Sequence, residues 1–448
     1  MIATHDAARL SGPLGLTHGV AFLTLRAALW YFAATNVVRH RRRESAGATA
    51  PPSDRAAGVS PPYATLLTSA PLRIEAIELR LLRLDLVEAF ETSFGRVRSR
   101  LIVLVKLEAE GLEGWGEIVS GEEPLYSYET VGTALHVVRD YFAPEVLQAP
   151  LRGLSDFTDR LAPFRGHPMA RAGLELAYVD LMARVRGESI ASVLGGTQAR
   201  IPAGVSLGIQ AEVSHLLERI EKFVRLGYRR IKLKIKPGWD VAVVREVRRH
   251  HPDILLSVDA NAAYTLADRP HLKQLDEFAL LMIEQPLEHD DLLDHAELRR
   301  ELTTPICLDE SIGSARAARQ ALDRGCCDIV NLKVGRVGGY SQALAIHDLC
   351  RSRGVPVWCG GMLESGIGRA HNIALASLPG FSLPGDISAS RRYFARDIIS
   401  PEVEVSADGT VEVPRAVGLG FEIDRDYVAA KTENVERFTL RGKTVSVS

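Results

Sequence analysis

The sequence predicts an α/β protein: a (β/α)7β TIM-type barrel with an α+β N-terminal capping domain completed by the C-terminal tail. Three observations predict it. Strands come first and helices after between residues 72 and 187. Strand-helix alternation then sets in at Arg200 and runs to about residue 383. Within that alternation Asp259, Glu284 and Asp309 each close an apolar run, and they are spaced 25 residues apart. That interval fits one strand, one helix and two short loops, so the three carboxylates come from the C-terminal ends of successive parallel strands, where barrels place their chemistry.

The elements follow in order. Residues 1–70 form an extension expected to be disordered, with one apolar segment. Gly19 to Val38 is largely apolar but has Arg26 in its middle, and the run Arg39-His40-Arg41-Arg42-Arg43 follows it. Arg26 would cost about 2.5–3.5 kcal/mol at the centre of a membrane helix, so membrane association through residues 19–43 is disfavoured. Ala, Pro and Ser dominate residues 44–62, as in a linker. The capping domain is expected over 71–198. Arg73–Leu86 and Arg100–Ala109 alternate as strands, Glu110–Gly114 makes the hairpin turn, and Gly114–Glu117 begins the return strand. Helices are expected over Ser127–Tyr141, Ser155–Leu161 and His167–Val185, the last ended by Gly187.

The barrel is expected over 199–390. Its eight strands are Ile201–Leu207, Arg230–Ile235, Ile254–Val258, Leu280–Ile283, Ile306–Leu308, Ile329–Lys333, Val355–Trp358 and Phe381–Leu383. Amphipathic stretches such as Val213–Leu226 and Tyr340–Arg353 separate them, with Gly227, Gly325 and Gly354 at expected C-terminal caps. Residues 391–448 lose the alternation and are expected to return to the capping domain.

A formal charge of −2 gives no electrostatic case for nucleic acid. The five cysteines have no zinc spacing and are expected to be reduced core residues of a cytoplasmic protein. The expected partners are a small-molecule carboxylate and further copies of the same chain.

Three convergent carboxylates are hard oxygen ligands that suit magnesium, or manganese, far better than zinc. Lys232 and Lys234 alternate with Leu233 on the second barrel strand and so share the inward face. Lys333 ends the sixth strand, about opposite the second around a barrel. A metal site between two lysines suits removal of a proton alpha to a carboxylate. The resulting enediolate is stabilised by a divalent ion and a second cation, and a positioned lysine base contributes roughly 10²–10⁴-fold.

From about Leu72 to the C-terminus the chain resembles the enolase superfamily, in its muconate-lactonising-like branch. It is most similar to the o-succinylbenzoate synthase and N-acylamino acid racemase family. The matching stretches are Thr92–Gly95, Ile231–Asp240, the three acidic motifs, Lys333–Gly339, Trp358–Gly366 and Leu383–Asp386. The resemblance implies that Asp259, Glu284 and Asp309 bind magnesium, with Asn261 a polar neighbour. It makes Lys234 the base, Lys232 the cation that tunes it, and Lys333 an opposite-face acid/base or stabilising cation. A capping loop with Phe90, Thr92, Ser93 and Phe94 would close over the substrate. Ser206 and the backbone around Gly361, Met362 and Glu364 would line its pocket. Lys236 stands where relatives often carry an acidic residue, and Arg336 occurs in the subfamily that includes racemases. The implied activity is syn dehydration of 2-succinyl-6-hydroxy-2,4-cyclohexadiene-1-carboxylate to o-succinylbenzoate, a menaquinone-pathway step. Racemisation of N-acyl or N-succinyl amino acids at the same site is the alternative.

Overall fold

The computed structural model describes residues 63–447, with side chains through residue 442. The apolar segment Gly19–Val38 and the basic run after it lie outside the described residues. Among the described residues no helix is long and apolar enough to cross a membrane.

The N-terminal layer is an antiparallel sheet of Ala76–Glu91, Arg96–Ala109 and Leu112–Ile118, and the C-terminal hairpin Thr432–Thr439 and Gly442–Val447 extends it beyond Ala76–Glu91. Helix Pro168–Arg186 lies across the sheet. It starts on a proline after His167 and ends at Gly187, whose φ of 68° suits a left-handed cap. The contact is unusually close: a Cβ on Gly114 would lie 2.2 Å from the Ala177 carbonyl oxygen, and one on Gly116 2.2 Å from that of Gly173. Only glycine permits that approach.

Seven parallel strands follow in unbroken spatial order: Gly204–Leu207, Arg230–Lys234, Leu255–Asp259, Ile283–Glu284, Ile306–Leu308, Ile329–Leu332 and Val357–Cys359. Residues 381–386 close the ring. Phe381 bridges Val357 and Gly385 bridges Ala203. Gly204 N–H donates to Gly385 O at 2.7 Å, and Asp386 N–H donates to Cys359 O at 2.9 Å. The expected eighth strand is thus a pair of bridges, because Pro384 has no N–H to offer a ladder. The first expected strand divides at Ala203, where the chain changes pairing partners. Arg200–Pro202 pairs antiparallel with Thr410–Glu412, and only Gly204–Leu207 joins the barrel.

Three further expectations are corrected. Order begins earlier than Leu72: helix Ala64–Leu67 buries Leu66 completely, and the Tyr63 hydroxyl bonds Asp348. The helix expected from Ser127 begins at Val131, capped by Thr130 and Thr133, and passes into a π turn over Val138–Phe142. After the third barrel strand the crossover is short 3-10 and α turns from Leu266 to Phe278, with Pro270 among them.

Candidate active site

Strand register assembles the charged centre. Lys234 pairs in register with Asp259, and Asp259 with Glu284, so three consecutive strands present these side chains in one row. Asp309 follows the end of the next strand, Ile306–Leu308. The three carboxylates have no solvent exposure. Unpaired, such charges would be prohibitively costly to bury, and each is held by cations. Lys234 Nζ lies 2.6 Å from Asp259 Oδ2 and 2.6 Å from Asn261 Oδ1. Lys232 Nζ lies 3.0 Å from Asp259 Oδ2, 2.8 Å from Glu284 Oε2 and 2.7 Å from Asp386 Oδ2. Lys333 Nζ lies 2.8 Å from Asp309 Oδ2, and the Arg336 guanidinium contacts the other oxygen of that carboxylate.

Local sequence sets these positions. Asn261 adopts φ 44°, a region asparagine tolerates, and its N–H donates to Asp259 Oδ1 at 3.0 Å. Gln285 is wholly buried, and its Oε1 accepts the N–H groups of Asp309 (3.0 Å) and Ser311 (3.3 Å). That amide ties the end of the fourth strand to the end of the fifth. Gly360 is required by proximity, since a Cβ there would lie 2.2 Å from Asn331 Oδ1 and 2.7 Å from Lys333 Cε.

Electrostatics follow from burial and neighbours. Burial pushes the Lys232 ammonium toward neutrality, but Asp386, Glu284 and Asp259 outweigh it and hold the group above its ordinary pKa. Lys232 is therefore a fixed cation beside Lys234. Lys333 is held up likewise, against burial, by Tyr126, Glu310 and Glu284. Burial raises Asp259 less than Lys234 and Lys232 lower it, so its carboxyl falls well below the usual range. Burial and then the Asp259 charge push Glu310 up to about 7.

The donor set fits a divalent cation: three buried carboxylates on adjacent strand ends offer hard oxygens, which suit magnesium-type ions. Their ligand atoms are less tightly gathered than those of Glu288, His289 and Asp290. Among the described residues that exposed trio alone brings three such donors within 4.8 Å of one another. At the barrel mouth Lys232 bridges Asp259 and Glu284, whereas Lys333 and Arg336 pair with Asp309. The exposed trio consists of chain neighbours on a loop.

The expected pocket residues divide. Ser93 and Phe94 reach the centre: Ser93 Oγ donates to Asn261 O at 3.1 Å, and the Phe94 ring packs 6.4 Å from that of Tyr126. Thr92 Oγ1 is spent on the turn, donating to Gly95 O at 3.3 Å, and Phe90 pairs with Val97 in the hairpin. Ser206 is the register partner of Lys232, and its buried Oγ has no hydrogen-bond partner. Gly361 and Met362 are half-buried at the mouth. Glu364 instead turns its carboxylate to Asn372 Nδ2 at 2.9 Å.

Four residues of the centre were not evident from the sequence. Tyr126 donates to Asp309 Oδ1 at 3.1 Å, accepts from Lys333 Nζ at 3.0 Å, and lays its ring under that ammonium. It comes from a capping-domain loop with no motif around it, so nothing local pointed to it. Asn331 donates to Glu284 Oε1 at 2.6 Å, and Asp386 holds both Lys232 and Arg230 at 2.7 Å. Glu310 accepts from Asn261 Nδ2 at 2.8 Å. Strand alternation around Lys333 could have found Asn331. Glu310 directly follows Asp309, and Asp386 ends the Leu383–Asp386 stretch.

Comparison with known proteins agrees with this arrangement. Residues 76–195 match the mandelate racemase / muconate lactonizing enzyme N-terminal domain, and residues 215–427 match the enolase C-terminal domain-like family. An o-succinylbenzoate synthase of Geobacillus kaustophilus is 52% identical over 368 residues, 82% of this chain and 98% of that one. An N-succinylamino acid racemase of Thermus thermophilus is 49% identical over 377 residues, 84% of this chain and 100% of that one. The crystal structure of an enolase superfamily member from Listeria innocua superposes with a TM-score of 0.80 at 40% identity, covering 82% of this chain and 100% of its own. With the barrel, the capping sheet and the charged row in hand, this chain belongs to the o-succinylbenzoate synthase and N-succinylamino acid racemase family of the enolase superfamily.

Proposed function

We propose that the protein is an o-succinylbenzoate synthase, catalysing the magnesium-dependent syn dehydration of 2-succinyl-6-hydroxy-2,4-cyclohexadiene-1-carboxylate in menaquinone biosynthesis. The observation that carries this reading is the row of buried charges. Lys234 stands 2.6 Å from Asp259 at one end and Lys333 stands 2.8 Å from Asp309 at the other. A divalent cation bound by Asp259, Glu284 and Asp309 would supply Lewis-acid stabilisation of the substrate carboxylate as it gains charge.

The residues divide the remaining work. Lys234, as the free amine, takes the alpha proton, breaking the C–H bond and leaving an enediolate. It then returns that proton to the hydroxyl on the neighbouring carbon, the C–O bond breaks, water leaves and the new double bond forms. One base doing both transfers on one face makes the elimination syn. Lys232, held charged by its carboxylate partners, is a fixed cation on the same strand face as the base. Lys333 remains a cation toward the enediolate, and the Phe94–Tyr126 contact brings the capping loop over the mouth, which excludes water. All five cysteines are buried thiols, in keeping with a cytoplasmic protein.

Racemisation of N-succinyl amino acids is the second reading. Two lysines at opposite ends of the charged row, and the Arg336–Asp309 ion pair beside Lys333, favour it. The test is a side-by-side assay of purified protein on the cyclohexadiene substrate and on N-succinylphenylalanine, with and without magnesium. Faster magnesium-dependent formation of o-succinylbenzoate supports the synthase. Racemisation with negligible dehydration replaces it by the second reading.

A further inference from the structure

A cavity of about 490 Å³ opens beside the charged row. Its walls are the base of the capping loop, the loop after the first barrel strand and the end of the second. Arg96, His215, Lys236, Glu91, Gln210 and Trp239 are among the lining residues. The size lies within the range of small-molecule sites. The charges do not balance: Arg96 and Lys236 face one carboxylate, that of Glu91. Glu91 lies opposite Arg96 in the hairpin register, yet its carboxylate pairs with Lys236 at 3.3 Å. Arg96 is exposed and has no ion-pair partner among the described residues.

The walls are fixed in place. Ile209 N–H donates to Glu91 O at 2.9 Å, and Gly208 approaches so closely that a Cβ there would lie 2.8 Å from Glu91 N. The cavity also adjoins the reacting end of the site. Lys236 follows Lys234 by two residues, about 7 Å along an extended chain. Three residues before Arg96, Ser93 bonds Asn261, which holds Lys234.

We propose that this cavity is the subsite for the second, distal carboxylate of the substrate. Arg96 is its principal partner, Lys236 (shared with Glu91) the second cation, and Trp239 the apolar wall for the arm between the carboxylates. The proposal rests on the reaction assigned to the charged row, since both candidate substrates carry a succinyl arm that ends in a carboxylate. Arginine offers two parallel donors to such a group, which makes it the stronger anchor.

The test compares kcat/KM for N-succinylphenylalanine with that for N-acetylphenylalanine, which lacks the second carboxylate, and in parallel measures the calorimetric Kd of o-succinylbenzoate. In Arg96→Gln the succinyl-to-acetyl ratio should fall by about tenfold, or the Kd should rise by about tenfold, the effect of one lost charge-assisted bond. Lys236→Gln should move both in the same direction, and Arg96→Lys should recover part of the loss. An active parent whose ratio and Kd change less than twofold in Arg96→Gln overturns the subsite alone. A parent that neither turns over nor binds these compounds overturns the reading of the reaction and the subsite with it.

Discussion

Lys234 and Asp259 are register partners on adjacent parallel strands, and their side chains meet at 2.6 Å. The proposed base and the first proposed metal ligand are therefore fixed by one ladder. A change at either must be felt by the other.

The carboxylates give the first prediction. Asp259→Asn, Glu284→Gln and Asp309→Asn each keep the shape of the side chain and remove one charge from the ligand set. Each should nearly abolish turnover while circular dichroism and chromatographic behaviour stay those of the parent. Dialysis against excess EDTA should do the same to the parent, and added magnesium should restore it. Full activity after dialysis would contradict the ligand assignment.

The capping loop gives the second. Phe94 reaches the centre through the Tyr126 ring, 6.4 Å away, and makes little of the barrel core. Phe94→Ala should lower kcat/KM by more than its modest effect on Tm accounts for. An unchanged kcat/KM would show that another segment closes the mouth.

Tyr126 gives the third. Tyr126→Phe keeps the ring beneath Lys333 and removes only the hydroxyl that bridges Lys333 and Asp309. Losing a hydrogen bond to charged groups costs about 1.5–3 kcal/mol, so kcat should fall roughly 10- to 150-fold. A kcat within twofold of the parent would show that the bridge has no part in turnover.

Glu117 gives a prediction about pH. Its carboxylate accepts from Ser365 N–H, Ser365 Oγ and Gly368 N–H at the start of helix Gly366–Ala376, joining the capping sheet to the barrel. Burial, with the nearby Glu364 charge, still pushes it up to about 7. A carboxyl raised on folding contributes stability that is fully present below its unfolded pKa and is lost as pH rises through the folded value. Glu117→Gln has no such titration. The Tm of the variant relative to the parent should therefore improve between pH 4.5 and pH 8, and a flat difference would show that Glu117 ionises normally.

How much of this was legible in the sequence depends on the range of each interaction. The barrel and its charged row were readable because a 25-residue strand-helix period repeats an acidic strand end at Asp259, Glu284 and Asp309. Lys232 and Lys234 were readable because strand alternation fixes their shared face. Tyr126 was not, since only tertiary docking of the capping domain brings it to Lys333, 207 residues away. Pro384 limited the eighth strand to bridges through its missing N–H, an effect that apolar patterning alone does not register. Ser127 failed as a helix start because the Thr130–Thr133 capping box begins the helix later.

The most direct test of the central claim is hydrogen exchange at the alpha carbon in D₂O, followed by NMR with separate enantiomers of N-succinylphenylalanine. Arginine cannot act as a base at neutral pH. Lys333→Arg should therefore abolish racemisation and still wash the alpha hydrogen out of one enantiomer only, through Lys234. Lys234→Arg should abolish dehydration of the cyclohexadiene substrate altogether. If Lys333→Arg racemised both enantiomers at the parent rate, Lys234 and Lys333 would not serve opposite faces of one carbon, and the assignment of roles to the two lysines would be wrong.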